Sequence, residues 1–542
     1  MLKKQNKQIR ERLQNLLPYL VALTSGTLMG VTVAPFGAWF FAWVALAPLW
    51  VIVVKYNTIK NPPTPCPLLP ALLWAIAYHG IALFWITGIH PMNWLGVPWW
   101  PSLLITIFCW SFISLWGGLL VALWAFLMVK LDKQKPWLRV LIGTALWCSL
   151  ESLWSSGSLW WSSLSYTQSP HNLIILHLGQ LSGPNTVTAV IIAVNGLVGE
   201  SWIYYFAQSL LAIPQSRTKR AKEERKNSAS FASLWFVNSY IISAATLLIT
   251  AHILGFILYS QPLNNLENTA LKIGIIQGNI PNEIKLLPQG YRQAISNYTN
   301  GYLTLANQGV DAVLTPEGAL PLYANDFQNT PLLDAVKEKK VVAWLGGFGR
   351  TGKSYTNSLF GVNGEGKITS RYDKSKLVPL GEFVPFEEII GGLVQRLSPL
   401  DEHQIHGAKN QVFDTPLGRA IVGICYESAF SEIFRYQAFN GGQFILSSSN
   451  DAHYTQAMAD QHHAQDIMRA IETDRWAVRA TNTGYSAFVD HHGRTLWKSG
   501  YNSYETHAEI IYPRQNRTLY VRFGDWLIIV LLVLGVLGWV LF

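Results

Sequence analysis

Seven apolar stretches precede residue 261, each close to the roughly 20 residues that a helix needs to cross a hydrocarbon core. An eighth, "GDWLIIVLLVLGVLGWVLF", closes the chain. The eight lie near 16–34, 37–54, 68–88, 102–129, 138–154, 186–212, 232–259 and 524–542. The fifth is the weakest, because Glu151 and several serines interrupt it. Half of the 542 residues are apolar and only 13% are charged, a balance foreign to ordinary soluble proteins of this length.

Taken alone, the formal charge of +9 would point to nucleic acid. The basic residues sit instead beside apolar segments: at the N-terminus, in "KYNTIK", in "KLDKQK" and in "RTKRAKEERK". The loops near 89–101 and 155–185 carry no Lys or Arg. Lys and Arg gather on the cytoplasmic side of membrane proteins. The pattern therefore predicts a lipid bilayer as partner, no nucleic acid, and both termini cytoplasmic. The basic N-terminus reads as a retained span, not a cleaved signal, because further apolar segments follow it. The charged run within 213–231 reads as a solvated cytoplasmic linker. The predicted organisation is a seven-span domain at 1–260, an extracytoplasmic domain at 261–520 and an eighth transmembrane helix at 521–542.

Residues 270–512 have another texture. Apolar runs of strand length, "LKIGIIQ", "DAVLT", "VVAWLGG", "RAIVGIC", "GQFILSSS", "WAVRATN" and "HAEIIY", alternate with helical patterns such as "MADQHHAQDIMRAIETD". Short buried strands alternating with helices predict an α/β domain.

Of the four cysteines, Cys66, Cys109 and Cys148 lie in or beside apolar segments, and no CxxC pair suggests zinc or dithiol chemistry. Cys425, in "GICYESAF", falls where a strand-like run meets a helical one. Such a turn fixes a thiol at a sheet edge, and a helix N-terminus there is expected to favour the thiolate. An unpaired thiol outside the cytoplasm is a liability unless it is used. A thiol nucleophile needs a base and an oxyanion partner. "LTPEGALP" offers Glu317 after one strand, and "SRYDKSKLVPLGEFVPFE" offers Lys374 after another. Singly, each reads as an ordinary surface residue. At strand ends of one sheet edge, the three make a catalytic set.

"TPE", "YDKSKLVPLGEFVP" and "GICYES" resemble the Glu-Lys-Cys signature of the nitrilase, or carbon–nitrogen hydrolase, superfamily. With the apolar spans, "IIQGNIP", "SSSND" and "RATNTGYSAFVD", the resemblance narrows to the apolipoprotein N-acyltransferase family and covers essentially the whole chain. It implies eight transmembrane helices and an extracytoplasmic αββα nitrilase-like sandwich, in a bacterial inner membrane with the catalytic domain on the periplasmic side. It implies Glu317 as general base, Lys374 as catalytic lysine and Cys425 as nucleophile, with Glu382, Tyr426 and Glu427 in support. Glu382 is expected to orient Lys374, and the Tyr426 N–H to be a second oxyanion donor. Packing and chemistry both remain open for Glu427. Asn450 and Asp451 are expected to wall the site. The implied reaction passes an acyl chain from a membrane phospholipid, through a cysteine thioester, to the α-amine of a diacylglyceryl-cysteine apolipoprotein. It requires no cofactor and no metal.

Two segments depart from the family pattern. Leu286 stands where many members have tryptophan, and "SNDAHYT" brings His453 and Tyr454 where many have Trp-Phe-Gly. Both bear on donor or acceptor preference, and His453 itself reads as an incidental surface residue. His462 and His463 face different ways on a helix and lack a suitably spaced third ligand, so no metal site is predicted. The tryptophans of "VPWWP" and "LWWSSLS" read as interfacial anchors. The segment Pro385–Leu400 reads as an arm dipping into the membrane interface. Two rivals fit less well. A membrane-tethered amidase or nitrilase using water would need only one anchor. A non-enzymatic scaffold would need a broken catalytic set, and none of Glu317, Lys374 and Cys425 is missing.

Overall fold

The computed structural model describes residues 2–55, 68–211, 219–263, 267–352, 354–379, 381–383 and 404–542. Cys66 and the predicted arm at Pro385–Leu400 lie outside the described residues. The N-terminal half is helical: α1 (Leu2–Gly30), α2 (Ala47–Lys55), α3 (Leu68–Ala82), α4 (Trp99–Val129), α5 (Pro136–Ser156), α6 (Pro184–Leu211) and α7 (Lys219–Tyr259). By length and composition, Trp99–Val129, Pro184–Tyr205 and Ser239–Tyr259 can cross a membrane. The apolar helical stretches Trp39–Lys55, Leu68–Ala82, Leu173–Ser182 and Trp526–Leu541 are shorter. The second and third apolar stretches are broken, not continuous. A 3-10 turn at Trp39–Trp43 precedes α2, and another at Phe84–Ile89 follows α3.

The outward faces of α4 and α7 carry exposed Leu104, Phe108, Phe112, Ile249, Ile253 and Phe256. An apolar belt of this kind suits lipid and not water. Inside, Trp50, Trp74, Trp124 and Trp147 pack as one cluster. Glu151, which weakens the fifth stretch as a sequence, is buried within α5 and fully engaged. It accepts from Trp147 Nε1 at 3.1 Å, Thr188 Oγ1 at 3.1 Å and the Ser163 hydroxyl. Arg139 and Glu200 form a closed buried pair, joined by Trp50 Nε1 at 3.0 Å. Polar groups in such helices persist only where partners satisfy them.

The second half holds two six-stranded sheets. The first, in order β12-β1-β2-β3-β4-β5, comprises β1 (Leu271–Gln277), β2 (Ala312–Leu314), β3 (Val342–Thr351), β4 (Ser354–Val362), β5 (Ile368–Asp373) and β12 (Glu505–Ile511). The second, β11-β10-β9-β8-β7-β6, comprises β6 (Phe413–Thr415), β7 (Gly418–Ile424), β8 (Phe444–Ser449), β9 (Ala477–Thr481), β10 (Ala487–Val489) and β11 (Thr495–Lys498). Ile273, Ile275, Leu314, Trp344 and Leu359 of the first share a core with Val422, Ile424, Leu446 and Val478 of the second, so the sheets stack face to face. Ile276 turns the other way, beneath α8 (Pro288–Asn307) and α9 (Pro331–Lys339). Outside the second sheet, Ile421 and Ile445 meet α10 (Ser431–Phe439) and α11 (Gln456–Thr473). Strands covered on both faces read as unbroken apolar runs, as "LKIGIIQ" does. A final helix, α12 (Trp526–Leu541), returns to the helical half and packs on α5 and α6 through Cys148, Ala189 and Ile528.

Candidate active site

Parallel strands β1-β2-β3 and β7-β8-β9 end at one edge, and the candidate residues stand just past those ends. Glu317 lies three residues beyond β2. Its loop can lie flat on β3 because Gly346 has no side chain: a Cβ there would come within 2.0 Å of the Pro316 carbonyl. Lys374 directly follows β5, and its backbone N–H is fixed by the Asn357 carbonyl at 2.8 Å. Cys425 directly follows β7 and opens a 3-10 turn, Cys425–Ala429, with φ at +52°. A non-glycine residue in the left-handed region costs about 1–2 kcal/mol, so the surroundings must hold it there.

The structure brings Glu317, Lys374, Glu382 and Cys425 together in a nearly dry site, with Cys425 5%, Lys374 1% and Glu317 8% exposed. Lys374 Nζ donates to Glu317 Oε1 at 2.9 Å and to Glu382 Oε1 at 2.7 Å. The other Glu382 oxygen accepts the Val378 N–H at 2.7 Å, so Glu382 is anchored while it holds the lysine. Asn357 Nδ2 donates to Glu317 Oε1 at 2.6 Å. The Cys425 thiol stands within electrostatic reach of the Glu317 carboxylate.

The electrostatics follow from this arrangement. Burial alone would raise the Glu317 carboxyl, yet the Lys374 ammonium, Lys285 and the neighbouring thiol hold it below the ordinary range. Burial pulls the Lys374 ammonium down, but Glu317, Glu382 and Cys425 overcome that and keep it well above the usual lysine range. The thiol goes the opposite way to the sequence expectation: burial first, then the Glu317 charge, push Cys425 well up, against the opposing pull of Lys374. The α-helix proper begins only at Ser431, so the thiol lies beside a short 3-10 turn and gains little from a helix N-terminus. The resting nucleophile is a neutral thiol beside an ionised carboxylate, ready to lose its proton on attack.

Glu427 is a strut. Its carboxylate accepts the Ile424 N–H at 2.8 Å from the nucleophile strand, and the Ser375 N–H at 2.7 Å and hydroxyl at 2.6 Å from the lysine loop. Tyr372 OH adds a further bond at 3.1 Å. It thus ties the cysteine loop to the lysine loop. Asn450 accepts from Asn482 Nδ2 at 3.1 Å, and its carbonyl lies 4.0 Å from the Cys425 sulfur.

Tyr426 joins the site to the helical half. Its hydroxyl donates to the Ser158 carbonyl at 2.7 Å and accepts the Trp160 N–H at 3.1 Å, while its ring stacks on Trp161. Lys376 Nζ donates to the Ser156 and Gly157 carbonyls at the end of α5, at 3.1 and 3.0 Å. Trp160 and Trp161 of "LWWSSLS" are therefore buried junction residues and not interfacial anchors; Trp99 and Trp100 of "VPWWP" are exposed. His453 is no incidental surface residue either. It bonds Asn282 at 2.8 Å and lies against Trp94, while Tyr454 meets Trp85 edge-on. Both departing segments are thus at the rim, with Leu286 exposed.

Sequence reasoning missed Asn357, Lys285 and the partners of His462. Lys285 Nζ donates to the Glu317 carbonyl at 3.2 Å, and burial lowers its ammonium to about 8 against the pull of Glu317 and Cys425. His462 finds the third group its spacing lacked: possible ligand atoms of Cys425, Asp451 and His462 lie within 4.8 Å of one another. They do not suit a metal, because hydrogen bonds already use them. His462 Nδ1 meets Asp451 Oδ1 at 3.1 Å and Nε2 meets the Cys425 carbonyl at 2.7 Å, while Arg479 meets Asp451 Oδ2 at 3.3 Å.

Two family models match the chain: carbon-nitrogen hydrolase over residues 272–512, and apolipoprotein N-acyltransferase N-terminal domain over residues 25–197. An apolipoprotein N-acyltransferase of Nostoc sp. is 66% identical over 94% of this chain and 97% of its own. Those of Synechocystis sp. and Gloeobacter violaceus are 44% and 34% identical, covering 94% and 99% of this chain and 98% and 96% of theirs. Among solved structures, an amidase from Nesterenkonia sp. aligns with a TM-score of 0.37 and 16% identity, over 48% of this chain and 96% of its own.

Proposed function

Because the chain belongs to the apolipoprotein N-acyltransferase family, we propose that it transfers an acyl chain from a membrane phospholipid to the α-amine of a diacylglyceryl-cysteine apolipoprotein. The observation that carries this reading is the joint: the turn bearing Cys425 is hydrogen-bonded to the helical half through Tyr426, Ser158 and Trp160. A thiol that draws an acyl chain from lipid has to be registered against the membrane part.

In the first half-reaction, Cys425 sulfur attacks the ester carbonyl as Glu317 takes the thiol proton. The oxyanion is met by the Lys374 ammonium and the Tyr426 N–H. Collapse breaks the ester C–O bond, Glu317 protonates the departing alkoxide, and a lysophospholipid leaves a thioester behind. In the second, the α-amine attacks that thioester, the C–S bond breaks as the amide forms, and the amine proton passes through Glu317 back to the thiolate. Glu382 keeps Lys374 aimed, Asn357 keeps Glu317 aimed, and Asn450 and Asp451 wall the site.

The domain division at 1–260, 261–520 and 521–542, the eight crossings and the αββα sandwich on the periplasmic side of an inner membrane belong to the same proposal. The loop-charge asymmetry and the exposed apolar belt support it. Mass spectrometry of the protein after incubation with defined phospholipids tests it. One acyl chain on Cys425, absent from Cys425→Ser, is expected; an unmodified wild-type thiol would overturn the reading.

A further inference from the structure

His462 is fully buried, and both of its ring nitrogens face groups that only accept. Nε2 lies 2.7 Å from the Cys425 carbonyl and Nδ1 lies 3.1 Å from an Asp451 carboxylate oxygen. A neutral imidazole carries one N–H and can satisfy one of them; an imidazolium satisfies both. Charge balance points the same way. Asp451 and Asp466 are both buried, and Arg479 bridges them at 3.3 and 2.8 Å. Two carboxylates and one guanidinium leave a net negative charge in a dry interior, which is costly unless a second cation stands there. Burial would raise both carboxyls, yet His462 and Arg479 hold them below the ordinary range. Trp161 packs against the ring in a T-shaped contact.

The carbonyl that His462 binds belongs to the Cys425–Tyr426 peptide, whose other end is the Tyr426 N–H. Tyr426 is second in its 3-10 turn, so the turn itself supplies no carbonyl for that N–H. The peptide is trans, so its C=O and N–H point in opposite directions. A charged donor on the oxygen draws electron density from the nitrogen and makes the N–H a stronger donor.

We propose that His462 is a positioning residue: held as an imidazolium by Asp451, it fixes the left-handed turn at Cys425 and polarises the Cys425–Tyr426 peptide so that its N–H binds the oxyanion more strongly. This rests on the acyl-transfer reading above.

The test compares two reactions of one thiol in the full-length, detergent-solubilised enzyme. Thioester formation from a defined diacyl phospholipid develops an oxyanion; alkylation by iodoacetamide is a displacement that does not. His462→Gln keeps one donor to the Cys425 carbonyl and removes the charge. Thioester formation is expected to slow about tenfold, less than the 10²–10³-fold that follows loss of an entire oxyanion donor. The phospholipid concentration for half-saturation stays as in the wild type, and any change in alkylation, which follows loss of a charge within 4.8 Å of the sulfur, is smaller than the change in thioester formation. Thioester formation at the wild-type rate would overturn the proposal. So would an equal change in both reactions, which marks support of the loop or action on the thiol alone. If His462→Gln does not fold, Asp451→Asn, which keeps the ring and removes the carboxylate that charges it, is held to the same criteria. A wild-type thiol that forms no thioester would sink the acyl-transfer reading itself, an outcome distinct from the others.

Discussion

The two halves of the molecule bury charge in opposite ways. In the helical half, Arg139 and Glu200 close on each other, with Trp50 Nε1 as a third partner. In the sheet half, one lysine is shared by two carboxylates, with a thiol beside them. The first arrangement pairs one cation with one carboxylate, so its charges hold helices together. In the second the carboxylates share their cation next to a nucleophile, so a proton has somewhere to go. Burial of charge alone does not mark a catalytic centre; a shared set around a nucleophile does.

The largest effect expected from breaking this contrast is on chemistry. Cys425→Ser and Lys374→Met should each reduce acyl transfer by about 10⁴-fold or more, since members of a catalytic set act as a unit. Lys374→Met also strands the buried Glu317 carboxylate and should lower the thermal inactivation midpoint, whereas Cys425→Ser should retain it within a few degrees. Arg139→Met should do the reverse. Leaving Glu200 buried and unpaired costs about 3–5 kcal/mol, so the inactivation midpoint drops while turnover per folded molecule persists. The double variant Arg139→Met, Glu200→Leu should regain most of the loss.

The joint between the halves allows a smaller test. Tyr426→Phe removes the hydroxyl that binds Ser158 and Trp160 but leaves the ring on Trp161. The lost bonds are worth about 1 kcal/mol each. Thioester formation should therefore fall roughly five- to thirtyfold, with little change in iodoacetamide alkylation of Cys425. Equal loss in both reactions would mean that the joint supports the thiol alone and not its register with lipid.

The smallest expected effect is in the pH profile. Glu317 is held below its ordinary value of 4.5, so the base is ionised above that point and is lost only as pH falls through its lowered pKa. Thioester formation should thus lack an acid limb above about pH 5. Lys285 loses its charge as pH rises through about 8. A modest decline there, a few-fold, should be missing from Lys285→Met. A profile identical in both proteins would remove Lys285 from the electrostatics of the site.

Much of the sheet domain was legible because its strands are covered on both faces. "LKIGIIQ", "RAIVGI" and "FILSSS" are each built around a short apolar run, and they correspond to β1, most of β7 and β8. Glu317, Lys374 and Cys425 stood out because each follows a strand end. What could not be read is what depends on contacts across the fold. Asn357 meets Glu317 across 40 residues, and His462 meets the Cys425 carbonyl across 37. Neither spacing has a local signature. The direction of the thiol pKa was misread for a related reason. A helix N-terminus is visible in the sequence, but the burial and the adjacent carboxylate that outweigh it are tertiary. His453, Trp160 and Trp161 looked like surface residues because nothing in the sequence reports that the helical half packs onto the nucleophile turn.

Passage of the acyl group through Cys425 to an amine can be followed in a chase experiment. The enzyme is loaded with a labelled acyl phospholipid, separated from excess lipid, and mixed with a diacylglyceryl-cysteine peptide in water. Label is expected to leave Cys425 and appear as an amide on the peptide α-amine. Release of the label as free fatty acid at the same rate with or without peptide would contradict it.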